Sequence, residues 1–151
     1  MADYSDKRCN ECPYHNQKHL IGTLFELWSV DYLPLEMEDN GSDILLIFQS
    51  PGENEWKYGK PIYFDNMSNK NTAGARLKKA WDSNNKKRSD FNITNIVQCF
   101  QGKKSNGKDD ENLNSEAKRH CLDYLIDDLK KFQGKGKKII VFGYQAKQQV
   151  K

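Results

Sequence analysis

A polar turn after an apolar run is the first candidate for chemistry in this sequence. The run Ile44 to Phe48 stops at Gln49-Ser50-Pro51-Gly52, and the carboxylates Glu53 and Glu55 follow. Proline and glycine together favour a tight turn. Amide and carboxylate side chains orient water or move protons in hydrolytic sites. The segment 49–55 is therefore a candidate catalytic or binding turn.

The cysteines are the second candidate for chemistry. Cys9 and Cys12 form a C-x-x-C pair, whereas Cys99 and Cys121 lie far along the chain. A short chelating pair and two distant thiolates can converge on a metal, and the spacing does not separate zinc from a [4Fe–4S] cluster. Disulfides and four unrelated structural cysteines are the alternatives, and disulfides are rare in a cytosolic chain.

Alternating strands and helices are predicted to position these residues. Continuous apolar or β-rich runs predict strands at 43–49, 91–100 and 138–143, all buried. Helical spacing predicts helices at 21–33, 72–81 and 115–132, and another from Tyr144 onward, with Ser115 as an N-cap. Residues 101–114 read as a long polar loop.

This order predicts a single α/β domain over residues 1–151, a three-layer α/β/α sandwich with a largely parallel central sheet. Ligands of such sheets bind at the carboxyl ends of the strands. The turn at 49–55 follows the first predicted strand, so it lies where a site is expected.

Composition and charge restrict the class of protein. The mean hydropathy is −0.92, and the sequence has no apolar run long enough to span a membrane. The polar N-terminus has no hydrophobic signal-peptide region, which favours a cytoplasmic protein. The net charge is only +3, but lysines and arginines cluster between residues 70 and 88 and again at 103–108. Such clusters suit a polyanion, although a solvated lysine-rich surface is an equal alternative.

Several short motifs, in order, resemble the family-4 (iron–sulfur) uracil-DNA glycosylases and their superfamily relatives. The resemblance runs from Cys9 to about Ala146 and begins with C-x-x-C, P-G-x-x-E at 51–55 and G-x-P plus an aromatic residue. It continues with T-N-I-V-x-C at 94–99, E-x-x-x-x-C at 116–121 and I-V-F-G-x-x-A at 140–146. Each motif alone is weak, and their order carries the resemblance.

The resemblance implies a [4Fe–4S] cluster held by Cys9, Cys12, Cys99 and Cys121, with zinc as the alternative. It also implies excision of uracil, or of a related base, from single- or double-stranded DNA by hydrolysis of the N-glycosidic bond. The target base must leave the stack, because the bond is inaccessible inside it. A monomer is expected.

Site residues are carried over from the family by position. Gln49, Ser50, Pro51, Gly52 and Glu55 fall in the first motif, where the backbone of the Pro-Gly turn holds the base carbonyl and positions a water. Asn95 matches the asparagine that reads the uracil edge. A stacking ring is expected at Ile62, where Tyr63 or Phe64 can substitute after a small shift. A core position is an equal alternative for both rings.

Two departures from the family lead to a second interpretation. Gln49 stands where the family has a glutamate, so it can orient a water but cannot act as a carboxylate base. The family's His-Pro-containing second motif is absent from these residues, so the chain is expected to be shortened at its C-terminus. The alternatives are a catalytically degenerate DNA- or uracil-binding module of the same fold and a zinc-stapled α/β protein without a DNA role.

Overall fold

A three-stranded parallel sheet organises the computed structural model, which describes residues 11–14, 34–63, 72–104 and 110–150. The strands are β1 (Ile44–Phe48), β2 (Asn92–Asn95) and β3 (Lys138–Val141), in the spatial order β2-β1-β3. Leu46 of β1 aligns with Ile93 on one side and with Ile140 on the other. The central strand therefore carries its carboxyl end between those of its two neighbours.

Helices connect the strands, as parallel pairing requires. They are α1 (Glu53–Tyr58), α2 (Ala73–Ser83), α3 (Ser115–Lys131) and α4 (Tyr144–Val150), with a 3₁₀ turn at Arg88–Asp90. The short helix α1 was not expected from the sequence. The predicted helix at 21–33 lies outside the described residues.

The two faces of β1 pack against different helices, because side chains alternate along a strand. Leu45 and Ile47 join a cluster with Cys121 and Leu125 of α3 and Ala146 of α4. Leu46 and Phe48 join a second cluster on the opposite face, with Trp81 of α2, Phe91 and Ile93. The sheet thus lies between two helical layers, which confirms the predicted α/β/α fold.

The prediction that β3 is buried is wrong. Ile139 and Ile140 are 45% and 44% exposed, and neither belongs to the core clusters that cover the two faces of the sheet. The predicted N-cap of α3 is also wrong by one residue. The side chain of Asn114, not that of Ser115, accepts hydrogen bonds from the backbone N–H groups of Glu116 and Ala117.

Candidate active site

A cavity of about 720 Å³ opens at the carboxyl ends of β1 and β3. Its walls come from the ends of both strands, from α1, from α2 and from Lys103 and Asp110 of the 101–114 segment. The chain crosses from one side of β1 to the other between β2 and β3, and open α/β sheets bind ligands at such a switch point. The volume lies in the range of small-molecule sites.

The turn after β1 forms the floor of this cavity. Gln49 and Ser50 line it and are half-buried, whereas Pro51 is buried and is not among the lining residues. The backbone N–H of Val97 donates to the carbonyl of Gln49 at 3.1 Å, which ties the turn to the segment after β2. Ser50 Oγ donates to Gln101 Oε1 at 2.7 Å. Both hydrogen bonds join the turn to the segment 97–101, which contains Cys99.

Glu53 and Glu55 both line the cavity, and Glu55 is the one whose contacts hold its carboxylate in place. It lies in the first turn of α1, and its Oε1 accepts a hydrogen bond from the backbone N–H of Tyr63 at 3.3 Å. Gly52, also lining the cavity, leaves room for this carboxylate, since a Cβ there would lie 2.8 Å from Glu55 Oε2. Burial raises the pKa of Glu55 above its ordinary value, although backbone N–H groups partly oppose this. Raised carboxyl pKa values in a cleft are typical of functional sites.

Ile62 and Tyr63 form an apolar wall of the cavity. Ile62 is 5% exposed and belongs to the core cluster around Trp81, so a base can contact it only as an aliphatic surface. The ring of Tyr63 stacks on that of Tyr58, with centroids 4.2 Å apart and planes 13° apart. Tyr63 thus offers an aromatic ring at the cavity, whereas Phe64, the other ring proposed for stacking, lies outside the described residues.

Asn95 lies at the end of β2 and is buried, and it is not among the residues that line the cavity. Its Nδ2 donates to the carbonyl of Pro61 at 3.2 Å, next to the wall residue Ile62. Its Oδ1 has no hydrogen-bond partner in the described structure. A buried acceptor without a partner is costly, so this oxygen is suited to a donor that is not part of the chain.

The structure adds cavity residues that the sequence analysis did not single out as site residues. They include Arg76 of α2, the ion pair between Lys103 and Asp110, and Phe142 after β3. Lys103 Nζ lies 2.6 Å from Asp110 Oδ1, and the two residues also form an antiparallel bridge. Arg76 and Lys103 belong to the basic clusters seen in the sequence, which gave no sign of which members would face a cavity.

Three of the four cysteines lie in one core cluster. Cys12, Cys99 and Cys121 are all buried there with Tyr14, whereas Cys9 lies outside the described residues. Burial raises the pKa of the Tyr14 phenol, and the nearby Cys12, Cys99 and Cys121 add to that shift. The donor set is therefore soft, shielded from water and gathered in one region, which fits a thiolate-bound iron–sulfur or zinc centre.

No group of three or more histidine, cysteine, aspartate or glutamate side chains in the described ranges has the arrangement of a metal site. The three thiols alone thus do not define a coordination geometry. Of the C-x-x-C pair, Cys12 lies within the described residues and Cys9 does not.

Comparison with protein families matches residues 36–151 to a model described as the Uracil DNA glycosylase superfamily. The match includes β1, the turn, the cavity, Cys99 and Cys121, and it excludes Cys9 and Cys12. No curated protein sequence matches the chain significantly. Among the helices of the described residues, none is both long and apolar enough to cross a membrane.

Proposed function

Since the chain belongs to the uracil DNA glycosylase superfamily, we propose that it excises uracil, or a closely related base, from DNA by hydrolysing the N-glycosidic bond. The observation that carries the proposal is the cavity at the end of β1, where Gln49, Ser50 and Gly52 lie beside a carboxylate with a raised pKa. A flipped nucleotide brings its base and C1′ into such a cavity.

Water is the nucleophile in the proposed reaction. It attacks C1′ of the deoxyribose, the C1′–N1 bond breaks, and uracil leaves as an anion that is then protonated. Glu55 accepts the proton of the water, and Gln49 orients the water through its amide. Backbone N–H groups of the turn stabilise the negative charge on the base. The products are free uracil and an abasic site.

Asn95 is proposed to select the base. The N3–H of uracil is a donor, and Asn95 Oδ1 is a buried acceptor without a partner, whereas cytosine has no hydrogen at N3 in its neutral form. The base reaches this oxygen only if the Pro61–Tyr63 segment moves, because Asn95 is 1% exposed. The hydrogen bond from Nδ2 to Pro61 couples that movement to base binding.

The test is a base-release assay on a labelled single-stranded oligonucleotide with one uracil, followed by alkali treatment. We expect cleavage at the uracil, and loss of that cleavage in Asn95→Ala. The melting temperature of the variant controls for folding, because Asn95 is buried. DNA binding without base release in the wild type would contradict the proposed enzymatic activity and favour a catalytically degenerate binding module. Gln49 is the residue that supports this second candidate, because it replaces the glutamate of the family and cannot act as a base.

A [4Fe–4S] cluster held by Cys9, Cys12, Cys99 and Cys121 is proposed as the resident cofactor, and it would join the N-terminal segment to β2 and α3. A reducing cytoplasmic location and a monomer belong to the same proposal. Protein purified without oxygen should show visible absorption and bound iron, and Cys121→Ser should lose both. A colourless protein with bound zinc would overturn the cluster.

A further inference from the structure

A buried glutamine supports the turn after β1 from outside the cavity. Gln101 is 5% exposed and is not among the residues that line the cavity. Its Oε1 accepts a hydrogen bond from Ser50 Oγ at 2.7 Å, and Ser50 does line the cavity. The hydroxyl at the cavity is therefore held by an amide that lies in the core.

The segment that carries Gln101 is itself tied down on both sides. Residues 97–101 are all buried, and the backbone N–H of Val97 donates to the carbonyl of Gln49 at 3.1 Å. Gly102 follows in a left-handed conformation, with φ of 92°, and its carbonyl accepts the backbone N–H of Glu111 at 2.8 Å. A buried amide on such a segment has few alternative positions, so it can fix the direction of the Ser50 hydroxyl.

This hydrogen bond determines what Ser50 can offer to a ligand. A serine hydroxyl has one hydrogen to donate and two lone pairs that accept. Because the hydrogen points to Gln101, Ser50 Oγ faces the cavity as an acceptor. A ligand group that binds to this oxygen must therefore be a donor.

The substrate of the proposed reaction has few donors for such an acceptor. A uracil nucleotide has one N–H on its base, at N3, and the proposed function assigns it to Asn95. The deoxyribose oxygens of a strand lie in phosphodiester links, and phosphate oxygens only accept. The attacking water has two O–H groups, and Glu55 takes the hydrogen of one. The second hydrogen of the water is the donor that remains for Ser50.

We propose that Gln101 is a positioning residue: it takes the hydrogen of Ser50, and Ser50 Oγ accepts the second hydrogen of the attacking water. The inference rests on the proposed function for the reaction itself. Glu55 removes the first hydrogen of the water, and the second stays on its oxygen in the new C1′ hydroxyl of the abasic sugar. The amide N–H of Gln49 donates to one lone pair of the water, which leaves the other lone pair for C1′.

The test is a double-mutant cycle on Ser50 and Gln101, with single-turnover rates of base release and half-saturating concentrations of a uracil-containing oligonucleotide as the readouts. Ser50→Ala removes the acceptor, and Gln101→Met removes the amide at similar size. We expect each variant to lose about tenfold in rate and to change the half-saturating concentration less than about twofold, because one hydrogen bond to water is lost. The double variant should be no slower than Ser50→Ala, because Gln101 acts through Ser50.

Gln101→Glu is the matched control, because it keeps an acceptor at Oε1, and its rate should stay within about threefold of wild type. Melting temperatures show whether the Gln101 variants fold. Ser50→Ala changes no core residue, so an unchanged rate in that variant overturns the inference by itself.

Two further results would overturn the inference and leave the proposed function intact. One is a double variant that is slower by the product of the two single losses, and the other is a loss confined to the half-saturating concentration. Absence of base release from the wild type would contradict the proposed function, and this inference with it.

Discussion

Two carboxylates of the first turn of α1, two residues apart in the chain, differ in their surroundings. Glu53 and Glu55 both line the cavity, but the carboxylate of Glu55 is the one that accepts the N–H of Tyr63 and fits against Gly52. Burial raises the pKa of Glu55. A base near neutral pH is more effective when its pKa lies closer to the working pH, so Glu55 is the better candidate for the proton acceptor.

Glu55→Gln should lower base release about 100-fold, because the amide cannot accept the proton from water. The raised pKa keeps Glu55 protonated to higher pH than an ordinary glutamate. The wild-type rate should therefore increase with pH through that raised pKa, and the variant should lose this increase. Single-turnover rates across a pH series measure both effects. Glu53→Gln serves as the matched control, and an equal loss in that variant would argue against a special role for Glu55.

The sequence identified the turn better than it identified the rest of the site. Gln49, Ser50 and Glu55 are adjacent in the chain, so local motifs were sufficient to place them together. Phe142 and Arg76 reach the same cavity only through the packing of β3 and α2, which no local pattern records. Asn95 was expected at the site, but the structure places it outside the lining of the cavity. Its side chain donates to the carbonyl of Pro61, next to the wall residue Ile62.

Among the elements, the predicted burial of the strands was correct for β1 and β2 and wrong for β3. Apolar runs predict that a strand is buried on both faces, and this holds for β1, with Leu45 and Ile47 at 0% exposure. Ile139 and Ile140 form an equally apolar run, yet they are exposed and belong to neither core cluster of the described residues. Edge position alone does not explain this, because β2 is the other edge of the described sheet and is buried along its whole length. Which strand the helices cover depends on the whole topology, which the run itself does not encode.

The packing of α3 against β2 should make stability depend on pH. Thr94 Oγ1 donates to Asp128 Oδ2 at 3.3 Å, and burial raises the pKa of Asp128 from 3.8 to about 6. Between these values the folded state binds a proton that the unfolded state releases. The stability contributed by Asp128 is therefore full below about pH 4 and is lost as the pH rises to about 6.

Asp128→Asn should remove this loss, since the amide is neutral at every pH. We expect the variant to be more stable than wild type by about 1 kcal/mol at pH 7.5, after reduction for partial solvent exposure. The difference should shrink towards pH 4. Urea unfolding at the two pH values measures it. Asp123→Asn, which changes an exposed carboxylate of the same helix, is the matched control. A gain of equal size at both pH values in Asp128→Asn would refute the assignment to Asp128.

At the scale of the whole molecule, the distribution of charge matters more than its sum. The chain carries a net charge of only +3, so long-range attraction to DNA is weak, and binding must come from cations close to the phosphates. Arg76 meets this condition because it lines the cavity. On the same helix, Lys79 is exposed but does not line the cavity, and Lys78 pairs with Asp82 at 2.8 Å.

The salt dependence of DNA affinity should distinguish Arg76 from Lys79. Each phosphate neutralised by a cation contributes about −0.7 to the slope of log affinity against log salt for a single strand. Arg76→Ala should therefore make the slope less negative by about 0.7 and weaken binding at low salt, whereas Lys79→Ala should change neither. Titrations of a labelled single strand over a salt series give both quantities. If Lys79→Ala changed the slope as much as Arg76→Ala, the basic surface of α2 would bind DNA diffusely, and the path of the strand would not be fixed by the cavity.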